Sequence, residues 1–238
     1  MLNWMKWFPE NVSTYGGEID AIFALIYYLT VAWFFLTIGA LVLFLVLYRR
    51  RDGRKASYIR GERWGEVGWI IALVLVVLLL DFWIDFRGGP VWAKVKGQIP
   101  PTELTIQVTA KQFNWEVLYP GPDGKFGTED DRQFDNELHV PIGKPVRVVL
   151  KSKDVIHSFF SPNLRLKQDM VPGRAIPAWF EATKPGKYEL ACAELCGFGH
   201  SGMKGWLYVH SHEEYQKWVK EQWPSQVVSD QPSSFRIR

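Results

Sequence analysis

Hydrophobic and polar positions divide the chain into two apolar blocks and a long alternating region. No charged residue falls between Ala21 and Tyr48. A bilayer core of about 30 Å needs roughly 20 helical residues, so this stretch predicts a membrane helix over 21–48. Val67 to Leu80 is apolar again and continues through Asp81-Phe-Trp-Ile-Asp-Phe86. A second membrane helix is expected over 67–86, with Trp83 near the interface and Asp81 and Asp85 solvated at its outer end. Gly88-Gly89-Pro90 reads as the break that ends it.

A linker over 87–101 closes at Pro100-Pro101, and the period then changes to two. Leu104, Ile106, Val108 and Ala110 share one strand face, whereas Phe113, Trp115 and Val117 continue on the opposite parity. Such a phase change predicts a β-bulge near Lys111-Gln112. Short strands follow at Val146 to Leu150, Ala178 to Ala182, Lys187 to Ala191 and Gly205 to Val209, separated by Gly or Pro turns. That rhythm is the one expected of a Greek-key sandwich filling 102–223. Ser211-His-Glu-Glu214 is a capping box, and the short helix it starts carries Tyr215, Trp218 and Val219 on one face. The polar tail, 224–238, is expected to be disordered or held by a partner. Residues 1–20 lack the basic start and early apolar core of a cleavable leader and are expected to remain as an external segment.

Charge orients this plan. The 49–66 loop holds Arg49, Arg50, Arg51, Arg54, Lys55, Arg60 and Arg63 against Asp52, Glu62 and Glu66, which predicts a cytoplasmic loop and places both termini and the β domain outside. From Thr102 onward 17 Lys/Arg balance 17 Asp/Glu, leaving no basic face for nucleic acid. The region 123–137 is locally acidic: a solvated loop, a docking patch for a basic partner, or a Ca²⁺ loop without EF-hand spacing. Two cysteines exclude a disulfide framework, and the lack of a Cys-x-x-Cys-His run excludes a fused c-type haem domain.

Those two cysteines stand in Cys192-Ala-Glu-Leu-Cys196-Gly-Phe-Gly-His200-Ser-Gly-Met203. Thiolate, imidazole and thioether are donors that select copper over hard cations, and C-x3-C-x3-H-x2-M brings all four to one turn. His157, in Asp154-Val-Ile-His-Ser-Phe, is the best upstream donor. A disulfide between Cys192 and Cys196 would close a tight loop and leave His200 and Met203 unexplained. His139, His210 and His212 lack soft neighbours and read as surface or capping residues.

His157 and the Cys192 to Met203 run, with Leu166-Lys-Gln-Asp-Met-Val-Pro-Gly-Arg174 and Lys111-Gln-Phe-Asn-Trp115, on a β domain after a helical hairpin, resemble subunit II of the haem-copper cytochrome c oxidases. The resemblance implies a cupredoxin-like sandwich carrying a binuclear copper A centre (CuA, two copper ions). It implies Cys192 and Cys196 as bridging thiolates, His157 and His200 as imidazole ligands, Met203 as a weak thioether ligand, and the Glu194 main-chain carbonyl to complete the set. The Glu194 side chain would reach a Mg²⁺ shared with subunit I, and Glu66 matches a glutamate at the mouth of a proton pathway. The implied partners are subunits I and III, membrane lipid, and a c-type cytochrome donor. Electrons would pass to haem in subunit I, where O2 is reduced to water with proton pumping. Where the family commonly has a tryptophan for electron input this chain has Phe113, leaving Phe113, Trp115 or another surface group for that role. Two other readings remain: the copper A subunit of a nitric oxide reductase, and a membrane-tethered copper carrier.

Overall fold

A computed structural model describes residues 8–55 and 58–224, and these form two units. In the first of them, α1 (Gly16–Leu47) and α2 (Trp64–Trp92) are the helices expected from the apolar blocks. Their mean hydropathies of 2.5 and 2.7 and their lengths suffice to cross a membrane. α2 does not stop at Gly88-Gly89-Pro90. It continues to Trp92 and closes in a π-helical turn, Ala93–Gly97, with the Ala93 amide donating to the Gly89 and Pro90 carbonyls. A proline removes only one amide from the helical ladder, and long apolar helices tolerate that loss where the freed groups are re-satisfied locally. Asp81 lines a shallow groove between α1 and α2 with Thr30, Trp33 and Ile84.

The second unit is the β domain together with the segment that precedes α1. Among the described residues ten strands build it: β1 (Leu104–Lys111), β2 (Asn114–Tyr119), β3 (Arg132–Asp135), β4 (Glu137–Pro141), β5 (Pro145–Ser152), β6 (His157–Ser161), β7 (Leu166–Met170), β8 (Ile176–Glu181), β9 (Gly186–Cys192) and β10 (Lys204–His210). They form two five-stranded sheets, ordered β3-β2-β1-β5-β8 and β4-β10-β9-β6-β7. β1 runs parallel to β5 and β10 parallel to β4, while the other pairs are antiparallel. The four strands expected from alternation are β5, β8, β9 and β10; β5, β9 and β10 extend slightly beyond the expected bounds, and β8 starts two residues earlier and ends one short, at Glu181. Ile106, Val108, Val117, Val148, Leu150 and Phe180 from one sheet meet Leu138, Val140, Leu166, Met170 and Leu190 from the other, all fully buried or nearly so. Each such side chain contributes about 1.5–3 kcal/mol of burial free energy.

No bulge joins Lys111 to Asn114. The two are paired residues, and Gln112-Phe113 is the two-residue turn of a hairpin. In that hairpin Ala110 faces Trp115 and Val108 faces Val117, so cross-strand partners carry opposite parity and the phase change follows from chain reversal alone. The capping box is present: Glu214 N donates to Ser211 Oγ, Ser211 N donates to the Glu214 carboxylate, and α3 (His212–Gln222) follows. The expectation for the tail beyond Pro224 lies outside the described residues.

His139 is not a surface residue. It is buried on β4, stacked between Tyr208 at 4.6 Å and Trp218 of α3 at 4.7 Å between centroids, with its Nδ1 2.9 Å from His210 Nε2. Its imidazole replaces a plain aromatic ring in an apolar stack, which alternation in so short a strand does not reveal. His210 is half-buried beside it and His212 is exposed.

The segment before α1 is part of the sandwich. Val12 and Tyr15 are fully buried, Ser13 bridges Ala182, and Thr183 N donates to Val12 O at 2.8 Å. Asn163 and Arg165 donate to the Glu10 and Pro9 carbonyls, and Lys184 pairs with Glu10 at 2.8 Å.

Candidate metal centre

Three chain segments converge at one end of the sandwich. β6 begins with His157 and β9 ends with Cys192. The loop 193–199 follows, His200 opens a 3-10 turn, and Met203 stands just before β10. Cys192 N donates to Met203 O at 3.2 Å and Ala193 N to Ser158 O at 3.1 Å, so the backbone of β9 ties both ends of the loop to its neighbours. Gly197 lies at φ 131°, a left-handed conformation suited to glycine, and a Cβ there or on Gly199 would strike Gln112 or the Phe113 ring.

The donor atoms are arranged around two sulfurs. Cys192 Sγ lies 3.8 Å from Cys196 Sγ. Cys192 Sγ has His157 Nδ1 at 3.9 Å and the Glu194 carbonyl at 3.2 Å; Cys196 Sγ has His200 Nδ1 at 3.6 Å and Met203 Sδ at 3.8 Å. Both cysteines are free and buried, as are His157 and Met203. The nitrogen and sulfur atoms of His157, Cys192 and Cys196 lie within 4.8 Å of one another. With a metal–thiolate bond of about 2.3 Å, two sulfurs this close can share an ion, so the donor set fits copper in spacing as well as in softness. Burial, and then the neighbouring Cys192 thiol, pushes the Cys196 thiol up to about 11, so it holds its proton at neutral pH until a metal displaces it.

All six groups named from the sequence therefore meet. The Glu194 side chain points outward and is exposed, and its carbonyl faces inward. Phe113 sits at the hairpin tip, 39% exposed, with its ring against Gly197 and Gly199. Trp115 is fully buried, which removes it as a surface group. Its ring stands edge-on to His157 at 6.4 Å, and its amide and carbonyl are both held by Asn136. Glu66 is in the first turn of α2 and accepts from Gly61 N at 2.9 Å.

Two residues given no role by the sequence reading stand beside the cluster. Asp154 Oδ1 lies 2.8 Å from His157 Nε2, and Asp154 Oδ2 accepts from the Gln112 amide at 2.7 Å. Burial would raise the Asp154 carboxyl, but hydrogen bonds from His157 and the Gln112 and Val155 amides outweigh it and hold the group below the usual range. Gln112 Nε2 donates to Cys196 O at 2.5 Å. The Asp-x-x-His spacing was the available signal for the first; nothing local marks the second. In the acidic region Asp131 accepts from Gly127 N and Asp130 from the Thr128 hydroxyl within the loop, while Asp135 accepts from Asn114 Nδ2 and Glu137 faces His139.

A β-sandwich with buried thiol, imidazole and thioether donors at one end, carried by a chain with two membrane-length helices, defines a membrane-anchored cupredoxin-like metal protein. The family model described as cytochrome C oxidase subunit II, periplasmic domain, matches residues 104–208. The chain is 28% identical to an alternative cytochrome c oxidase subunit 2 of Bradyrhizobium diazoefficiens over 91% of its own length and 84% of that protein. It is 28% identical to cytochrome c oxidase subunit 2 of Thermostichus vulcanus over 94% and 80%, and 41% identical to that of Synechocystis over 53% and 35%. The solved periplasmic domain of subunit II of the Bradyrhizobium japonicum oxidase is 35% identical, covering 52% of this chain and 96% of that one, with a TM-score of 0.47. The chain belongs to the cytochrome c oxidase subunit II family. It is thus the subunit through which electrons enter a haem-copper terminal oxidase, a membrane protein whose β domain is the outer one.

Proposed function

We propose that Cys192, Cys196, His157, His200, Met203 and the Glu194 carbonyl hold a binuclear copper A centre. One observation carries the reading: each sulfur has its own imidazole nitrogen and its own weak donor, a paired arrangement suited to two ions rather than one. Such a centre supplies one-electron transfer with the charge shared by two ions. The chain's part is to fix the donors on two strand ends and a loop, to keep water away from the buried sulfurs, and to release the thiol protons when metal binds.

The donor is a c-type cytochrome that docks over the hairpin tip at Phe113, with Trp115 packed behind it against His157. Electrons then leave toward haem in subunit I, where O2 is reduced to water and protons are pumped, with subunit III completing the core. The outward Glu194 carboxylate is available to a Mg²⁺ held mostly by subunit I, and Glu66 stands at the start of α2 for proton uptake. Both termini lie on the outer side, a topology supported by the packing of residues 9–15 against the β domain. Membrane lipid covers the helices.

The test is copper analysis and electron paramagnetic resonance of the oxidase complex purified with this chain. Two coppers per chain beyond those of the partner subunit are expected, with a hyperfine pattern from one electron shared equally by two copper nuclei. A single copper held as Cu(I), with no such pattern, would sink the reading and favour a copper carrier.

A further inference from the structure

We infer that Asp154 is a positioning residue that sets the ligating face of His157 and locks the donor-facing hairpin tip onto the metal loop. This deepens the copper reading above and rests on it. A carboxylate only accepts hydrogen bonds, so the nitrogen 2.8 Å from Asp154 Oδ1, His157 Nε2, carries the ring proton. The lone pair is therefore left on Nδ1, the atom that faces Cys192 Sγ. Second partners of this kind fix a ligand's tautomer and ring orientation and raise its basicity.

Asp154 is itself held. Its Oδ1 accepts from Val155 N at 2.7 Å, and its own amide donates to Ser152 Oγ. Its other oxygen accepts from the Gln112 amide, and the Gln112 side chain continues to the Cys196 carbonyl. One carboxylate thus joins three loops: the 152–157 loop with one imidazole, the 112–113 tip that bears Phe113, and the 193–199 loop with the second thiol. The tip cannot shift without disturbing either the His157 partner or the Cys196 carbonyl. Asp154 is not a ligand, because its oxygens are committed to these contacts and lie beyond the imidazole from the sulfurs.

The experiment compares the complex carrying Asp154→Asn, with Asp154→Ser as a second variant, against the unaltered protein. An asparagine keeps the shape but carries no charge and cannot accept from both His157 and the Gln112 amide. The expected result is a tenfold to hundredfold weaker hold on copper. A raised midpoint potential and unequal hyperfine coupling to the two coppers should accompany it. The melting temperature of the metal-free chain is expected to stay near that of the unaltered protein. An unchanged spectrum and potential in both variants would overturn the inference, as would a copper loss that merely follows a fall in metal-free melting temperature. If the unaltered complex itself lacks the two-copper pattern, the copper reading fails and this inference falls with it.

Discussion

The β domain buries two histidines completely enough to remove them from water, and it uses them in opposite ways. His157, at the start of β6, has sulfur atoms on one side and a carboxylate on the other. His139, on β4, has aromatic rings on both faces and a second imidazole at its edge. Burial, and then His210, pushes His139 down to about 4, with Glu137 pulling weakly the other way, so its ring is neutral at ordinary pH. Burial alone therefore does not make a histidine a ligand. What separates the two is the company kept at each ring nitrogen: soft donors converge on Nδ1 of one, and the nitrogens of the other meet the half-buried His210 and the Glu137 carboxylate. The two ends are joined by β10, which Met203 precedes and His210 closes.

If this division is right, damage at one end should leave the other untouched. Trp218→Ala should have the largest effect, about 3–5 kcal/mol of lost stability, because the indole stacks on His139 and meets Tyr119 and Phe134. Denaturant titration should register that loss while the copper spectrum of the folded fraction stays unchanged; a changed spectrum would break the separation. His139→Phe should flatten the acid limb of stability. The unfolded chain takes up a proton at this residue below its ordinary value of 6.5, whereas the folded chain resists until about 4. The stabilisation is therefore complete above pH 6.5 and declines as pH falls toward 4, by at most about 1.4 kcal/mol per pH unit for one proton. Melting curves of the two proteins between pH 7 and 4 check this, and parallel curves would show that His139 does not titrate in this way.

The smallest effect is expected at the metal end. Phe113→Ala removes a half-exposed ring from Gly197 and Gly199 without touching a ligand. Stopped-flow oxidation of the cytochrome should slow by less than tenfold, under about 1.4 kcal/mol of barrier, at an unchanged potential. A larger loss would show that the phenyl ring carries most of the donor contact rather than a share of it.

These two ends also differ in how far the sequence exposes them. The metal donors were legible because four lie within one short run whose chemistry excludes most other uses, and His157 stands in an Asp-x-x-His-Ser-Phe segment. Membrane helices were legible from length and lack of charge, apart from the run of α2 past Pro90. The aromatic end was hidden, since β3 and β4 are short, and nothing local says that His139 pairs with a residue 71 positions away. β6 and β7 are as short, and in β7 Gln168 interrupts the inward parity of Leu166 and Met170. The parity change at Gln112-Phe113 is legible in the sequence but its cause is not, because a hairpin and a bulge leave the same trace in a single strand's alternation.

Residues 9–15 give the domain a sequence in time as well as in space. They are synthesised before α1, yet their partners, Asn163, Arg165, Glu181, Ala182 and Lys184, come after both helices. The segment must therefore wait, with Val12 and Tyr15 unburied, until the β domain has been made as far as Lys184. Closure of the sandwich edge by this segment is a late step of folding, and it can be completed only by a chain synthesised through β8 and the turn that follows it.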